Sequence, residues 1–374
     1  MAPLVYHDGQ RAIQAEAKTT HVADNLADWV GPVGEFAGIA DLALLSTDRQ
    51  GTLQFTLLSG PPPLVEVEPH SPNRIIFPSI LAKHVPSGAR CGGLLINLSQ
   101  ARRARVNGTV WQHADGLELL ADETFTLCRK YMASSLPIAS DLLIGPESRE
   151  PLSLDNPWLA QLLAKAETSF LASISPQGHP DVAHRGGQPG FLKLDSLQRT
   201  LTWTEYLGDG VFKSAGNIRA TGSLTLLIPD LDDGDAVEIS GQGRYQNLRS
   251  ERHQRMDPLV QDQEPYPVQG VMVCEIQNAA KLRRVLHLSP QASEGGESHL
   301  PFFRRRATAP IERVAGISTE LPGWPAVRGR LWLPAVSGRQ QSSAAPPERW
   351  NGSRGSRVQY LHQPRPIQVH HKHP

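Results

Sequence analysis

ETSFLASISPQGHPDVAHRGGQPGFLKLDSLQRTLTWTEYLGDGVFKSAGN, residues 167–217, is the stretch on which the reading of the whole chain turns. Two apolar runs of β type, Phe170–Ile174 and Phe191–Leu194, flank a polar, basic knot, His184-Arg185-Gly186-Gly187. A third run, Thr200–Thr204, ends in aromatic residues and opens into Gly208-Asp209-Gly210. The residues after it suit a helix and include Ser214, Gly216 and Asn217. An arginine followed by two glycines can turn its guanidinium and nearby backbone N–H groups toward an anion. A Gly-rich turn into a helix supplies further donors at the helix N-terminus. The same letters also suit an ordinary hairpin with a surface arginine, because short Gly/Arg motifs are weakly specific.

Working outward, the order of this stretch occurs earlier in the chain. Residues 40–67 laid on 167–194 without a gap match Leu44, Ser46, Gln50, Gly51, Gly60 and Pro62 to Leu171, Ser173, Gln177, Gly178, Gly187 and Pro189. Further on, Leu94-Leu95-Ile96 corresponds to Leu226-Leu227-Ile228, and Asn107-Gly108 to Ser240-Gly241. In both stretches, short apolar runs alternate with turn signals such as Asp48-Arg49-Gln50-Gly51 and Pro72-Asn73, which indicates antiparallel barrels or sandwiches. Two tandem copies of one β-rich module follow, each of ordinary domain size. The copies differ where chemistry would sit, since His184 and Arg185 fall on Leu57 and Leu58. An anion site would belong to the second copy, with the first as its structural partner.

The organisation expected is an N-terminal segment, 1–35, with a short helix over Arg11–Lys18 and His7 at the surface. A degenerate module, 36–133, comes next, then a proline-marked linker, 134–155. The second module spans 156–284 and opens with Asn156-Pro157, a good helix start. Residues 285–374 are rich in Ser, Gly, Pro, Arg and Gln, which is the composition of a disordered tail. Arg304-Arg305-Arg306 there reads as a solvated charge run, and the histidines near the C-terminus as a non-functional end.

The formal net charge of the 374 residues is zero, so the chain as a whole does not advertise nucleic-acid binding. The zero hides an asymmetry: from Pro290 onward there are 12 Lys/Arg against 5 Asp/Glu, and the rest of the chain carries the compensating negative charge. The three cysteines, Cys91, Cys128 and Cys274, are scattered and odd in number, which argues against a disulfide framework and a Cys-based zinc site. No run reaches the length of a membrane span. The start, MAPLVYHDGQRAIQ, lacks the apolar core of a secretory signal. A cytoplasmic protein is the expectation.

These residues also form a family pattern. The second module resembles the FMN-binding split barrel of the pyridoxamine 5′-phosphate oxidase-like superfamily, in particular a two-module subgroup related to the N-terminal part of ferredoxin-reductase fusions. The residues that carry the resemblance are Ala166–Ser173, Asp181–Phe191 and Trp203–Asn217. Cys128–Met132 is similar to the subgroup's motif between modules, with Arg129 in place of proline, and Tyr6–Gln14 is similar to its opening phrase. The resemblance implies two antiparallel split barrels paired within one chain, mainly β with a few helices, as a monomeric pseudo-dimer or a homodimer.

By the same resemblance, FMN lies between the barrels. Arg185 contacts its phosphate, with His184 and Gly186 beside it. Trp203, Thr204 and Tyr206 line the flavin, and Gly210, Phe212, Ser214 and Asn217 meet phosphate or ribityl groups. Asp209 stands where the family commonly has Asn, Ala183 where it has Ser, and Lys213 adds positive charge outside the usual pattern. The implied function is a flavin-dependent oxidoreductase that exchanges electrons with a small-molecule donor or acceptor, without nucleic-acid or membrane partners. The alternatives are a non-catalytic flavin-binding or structural pseudo-dimer, or a split barrel that binds a deazaflavin or haem, the last with His184 as the suspect ligand. No residue is singled out as a catalytic acid, base or metal ligand.

Overall fold

The computed structural model describes residues 3–26, 30–68, 70–98, 100–113, 116–127, 130–132, 141–248 and 266–286. All of them belong to one compact unit. The tail from 290 onward, with its basic triplet and terminal histidines, lies outside the described residues, as do Cys128 and Arg129.

The chain begins with three helices, α1 (Asp8–Glu16), α2 (Thr20–Asn25) and α3 (Val30–Ala37). The first sheet follows: β1 (Leu42–Arg49), β2 (Thr52–Ser59), β3 (Glu66–Glu68), β4 (Ser71–Pro78), β5 (Arg90–Asn97), β6 (Arg102–His113) and β7 (Gly116–Leu127). A single 3-10 turn, Ser79–Lys83, links β4 to β5. Two short strands, β8 (Leu143–Gly145) and β9 (Ser148–Pro151), then lead into α4 (Pro157–Lys165). The second sheet holds β10 (Thr168–Ile174), β11 (Pro180–Gly186), β12 (Leu192–Asp195) and β13 (Thr200–Tyr206). After α5 (Lys213–Thr221) come β14 (Ser223–Pro229), β15 (Ala236–Asn247) and β16 (Val268–Arg283).

Both sheets are antiparallel and curled, and their orders match. The first runs β3-β4-β7-β6-β5-β1-β2, with β8 added beside β2; the second runs β12-β13-β16-β15-β14-β10-β11, with β9 beside β16. Even their irregularities coincide. The β6–β7 ladder slips at Asn107/Gly108 and the β15–β16 ladder at Ser240/Gly241, the pair of positions matched in the sequence. A bulge re-aims the strand it sits in, so the two sheets bend at the same place.

The ungapped overlay nevertheless misplaces one strand. In the first sheet Leu44 pairs with Leu57, whereas in the second Phe170 pairs with His184. Leu57 and His184 therefore correspond, but Leu44 corresponds to Phe170 rather than to Leu171. The second hairpin turn is one residue longer, and a one-residue shift moves a side chain to the opposite face of a sheet. The burial confirms the phase. Leu45 and Leu171 point into their own barrels, while Leu44 and Phe170 point into the seam between the barrels. The same slip applies to Leu94–Ile96, where Leu94 matches Leu227.

Of the four apolar clusters among the described residues, three hold the two barrels and their seam, and the fourth seats Leu4, Tyr6 and Ala23 against Phe125 and Val211. One fills the first barrel around Phe77 and Val106, and one fills the second around Trp203 and Ile239. The third lies between them, joining Leu42, Leu44, Phe55 and Ile96 to Phe170, Val182, Leu227 and Leu282. Strands β1 and β10 are buried on both faces because one face serves the barrel and the other the seam. Burial of one such side chain contributes about 1.5–3 kcal/mol, so the seam is part of the folding core.

Several local expectations change. The basic knot is not a loop between strands: His184, Arg185 and Gly186 are the end of β11, paired to Phe170, Ser169 and Thr168. The proline-marked linker carries two paired strands, β8 and β9. The first helix starts three residues earlier than expected because His7 caps it. The His7 ring accepts from the Gly9 N–H, and the Gln10 side chain reciprocates to the His7 N–H. His7 is thus a part-buried cap, and its Nε2 lies 2.8 Å from Asn217 Oδ1.

Candidate functional site

The site begins with β11 and β13, which supply side chains at period two. Along β13, Leu201 and Trp203 face the barrel core, and Trp203 is 1% exposed. Thr204 and Tyr206 have the opposite parity and line a cleft beside the barrel. Ala183, His184, Arg185 and Gly186 of β11 line it too, as do Gly210, Phe212, Lys213 and Ser214 at the start of α5. Opposite them stand Arg103 and Arg105 of β6, from the other barrel. The cleft has a volume of about 110 Å³.

The start of α5 is held in place by the N-terminal helices. Gly216 abuts the backbone of Gln10 so closely that any side chain there would collide with it. Gln14 donates to the Val211 carbonyl at 2.8 Å, and Thr19 to the Gly210 carbonyl at 2.8 Å. Phe212 takes left-handed backbone angles (φ 55°), and no side chain caps α5. An uncapped helix start leaves N–H groups available to an acceptor. Asp209 does not compete for that place, because its Oδ1 accepts from the Val211 N–H at 3.0 Å within its own loop.

Charge in the cleft is dense and mostly paired. Arg185 Nε donates to Glu205 Oε1 at 2.7 Å, and Trp203 Nε1 donates to the same oxygen at 2.8 Å. Arg105 Nε meets Asp181 Oδ1 at 3.2 Å with both side chains almost fully buried. Asp181 also accepts from Ser214 Oγ and Asn107 Nδ2. Lys213 forms an ion pair with Glu123 of β7, which ties α5 to the first barrel. Tyr131, which follows β7, touches Tyr206 and Tyr266 at ring-centroid distances of 5.3 and 4.9 Å and so completes an aromatic rim. The Tyr131 carbonyl presses on Gly186, a position where any Cβ would clash.

His184 is 6% exposed. Burial first, then the neighbouring Arg103 and Arg185 cations, hold its pKa well below the ordinary value, so the ring is neutral at pH 7. Arg103 NH1 lies 2.7 Å from His184 Nδ1. Arginine can only donate, so Nδ1 is the acceptor and Nε2 carries the proton. That Nε2 is buried without a protein partner.

Of the ten cofactor-contact positions expected, His184, Arg185, Gly186, Thr204, Tyr206, Gly210, Phe212 and Ser214 come together in this cleft. Trp203 and Asn217 do not line it. Trp203 belongs to the barrel core and reaches the site only through its bond to Glu205. Asn217 is 1% exposed and holds α1 against β10, accepting from Gln10 and donating to Ser173. Sequence reasoning missed Glu205, Arg103 and Arg105. The available signal was the alternation Arg103-Ala104-Arg105-Val106, which puts two arginines on one face of a strand and apolar residues on the other.

Among the described residues no group of three or more His, Cys, Asp or Glu is placed to hold a metal ion. None of their helices is long and apolar enough to cross a membrane. Cys91 and Cys274 are buried free thiols.

No family model matches the sequence, and no curated protein matches it. Solved structures to which parts of the chain are similar include HupZ from Group A Streptococcus (14% identity, covering 36% of this chain and 99% of that one, TM-score 0.28). Another is a general stress protein 26-related protein of the pyridoxinephosphate oxidase family from Clostridium acetobutylicum (10% identity, 34% and 86% covered, TM-score 0.24). A third is HutZ, a haem storage protein from Vibrio cholerae (12% identity, 34% and 91% covered, TM-score 0.23). Each of them spans about a third of this chain.

Proposed function

We propose that the cleft between the barrels binds FMN and that the chain is a flavin-dependent oxidoreductase acting on a small molecule. The observation that carries this reading is the meeting, in one cleft, of β11, β13 and the uncapped start of α5 with two arginines of the opposite barrel. The donor set suits a phosphate, and the Tyr131–Tyr206–Tyr266 rim suits a planar ring. The two barrels are read as copies of one module, of which the second retained the ligand-facing residues.

The residues fit the cofactor with one adjustment. Arg185 is occupied by Glu205, so a phosphate at Arg185 has to take the guanidinium from that carboxylate. Arg103 and Arg105 are fixed by His184 and Asp181 and supply positive potential without moving. Bound flavin would supply the electron transfer, and the protein its orientation and electrostatics. Tyr206 and Tyr131 would set the plane of the ring, and the Lys213–Glu123 pair would keep α5 against the first barrel.

Haem ligation by His184 is the poorer reading. Its Nε2 bears the proton while Arg103 donates to Nδ1, which leaves no lone pair for iron. The test is purification followed by flavin titration. The reading expects a yellow protein that releases FMN on denaturation, or a colourless one that takes FMN up. A protein without flavin affinity, or a red one whose Soret band is lost in His184→Ala, contradicts it.

A further inference from the structure

A second cavity lies beyond the Lys213–Glu123 pair. It is walled by the N-terminal Pro3–Tyr6 segment, by Arg90 and Asp122 of the first barrel, and by the β10–β11 turn with His179 and Pro180. Its volume is about 640 Å³, several times that of the first cleft and within the range of small-molecule sites. Lys213 lines both cavities.

Most of its polar groups are already committed. Asn217 is bonded to His7, Gln10 and Ser173; Asp181 to Arg105, Asn107 and Ser214; and Glu123 to Lys213 and Asn107. Two groups remain. Arg90 Nε is buried without a partner, and the guanidinium is otherwise engaged by Thr109 and by Asp122. The Asp122 side chain is 51% exposed, so this ion pair is screened by water and readily exchanged. His179 has a lowered pKa, first from burial and then from the Arg90 charge, so its ring is neutral at pH 7 and can donate one hydrogen bond. Pro3 and Val5 also line the cavity and offer apolar surface, with Val5 86% exposed, while Leu4 between them is turned into a core cluster with Tyr6 and Phe125.

We infer that this cavity is a binding site for a small carboxylic acid with an apolar body. The ligand carboxylate takes the Arg90 guanidinium in place of Asp122, with His179 as a second donor. The apolar body lies along Pro3 and Val5. Guanidinium and carboxylate match as a planar, two-bonded pair. The site is separate from the flavin cleft, and its ligand stands one ion pair away from it.

Isothermal titration of the full chain with phenylacetate, phenylacetamide and phenethylamine tests the inference. Phenylacetate is expected to bind at least tenfold more tightly than the amide, and the amine not to bind. Arg90→Ala should weaken phenylacetate binding tenfold or more, and Val5→Asp should weaken it without touching the fold. Asp122→Asn should tighten it several-fold, since the competing carboxylate is gone. Absence of phenylacetate binding, equal binding of the amine, or indifference to both Arg90→Ala and Asp122→Asn overturns the inference. FMN titration of the same variants separates the two sites, because flavin affinity is expected to stay unchanged in Arg90→Ala whether or not phenylacetate binds.

Discussion

The two barrels meet each other with matching strands but opposite outcomes. In the second barrel the end of β11 presents Arg185 to an open cleft. In the first, the matching positions on β2 are Leu57 and Leu58, and β8 pairs along them, with Leu57 opposite Gly145 and Ser59 opposite Leu143. Arg105 corresponds by register to Glu238, since each stands two residues before its strand's bulge. Arg149, brought in by β9, restores the missing guanidinium. It bonds to Glu238, to Gln54 and to the Phe55 carbonyl, as Arg105 bonds to Asp181 and to the Val182 carbonyl. One fold thus holds a half-site open and closes its counterpart with the connecting segment. The site follows from which residues face the seam and from whether a strand covers them.

The comparison can be broken most forcefully at the buried pair. Asp181→Ala leaves Arg105 buried without its partner, and loss of about 3–5 kcal/mol of stability is expected. Chemical denaturation of the variant measures it. A loss no larger than that of an exposed ion pair would remove Asp181 from the framework of the site.

Arg185→Ala should weaken FMN binding by about 1.5–3 kcal/mol, the worth of a charge-assisted bond to phosphate. Glu205→Gln should act in the opposite direction, because it frees Arg185 for the ligand. Trp203 emission should respond to FMN in the parent chain as its bond to Glu205 is disturbed. If both variants bind FMN like the parent, the phosphate sits elsewhere.

The closed half-site has its own signature in pH. Burial outweighs the attraction of Arg149 and raises the pKa of Glu238 above the ordinary 4.5. The folded chain therefore favours the protonated form. Its contribution to stability is complete below the unfolded value and is lost as pH rises through the folded value, with a slope of at most about 1.4 kcal/mol per pH unit. Glu238→Gln should flatten that decline. Denaturation midpoints across pH 4 to 8 measure it, and an unchanged profile contradicts the assignment.

The smallest expected effect belongs to the N-terminal clamp on the open side. His7→Ala removes the α1 cap and the bond to Asn217, at a cost of about 1 kcal/mol. Accelerated hydrogen exchange should then appear in α1 and at the start of α5. Exchange confined to α1 would show that the clamp does not hold the cleft.

Much of this architecture was legible in the sequence, because strand periodicity and turn residues are local signals. The pair Asn107-Gly108 and Ser240-Gly241 was matched in the sequence as part of the repeat, but that both sit at a bulge is visible only in the strand registers. The phase of β1 against β10 was not legible, since one extra turn residue reverses every facing while leaving the apolar composition unchanged. Trp203 was assigned to the cofactor although its parity with Leu201 already placed it in the barrel. Arg103 and Arg105 were passed over because they act across the seam, on a partner 81 residues away in the case of His184. His7 and Gln10 were missed for the same reason, as their bonds to Asn217 span more than two hundred residues.

The claim that one half-site is open and the other closed is tested most directly by counting bound cofactor. Equilibrium titration of the full chain with FMN, followed by flavin absorbance and fluorescence, is predicted to saturate at one FMN per chain and to weaken sharply in Arg185→Ala. Saturation at two per chain, or no binding at all, would contradict it.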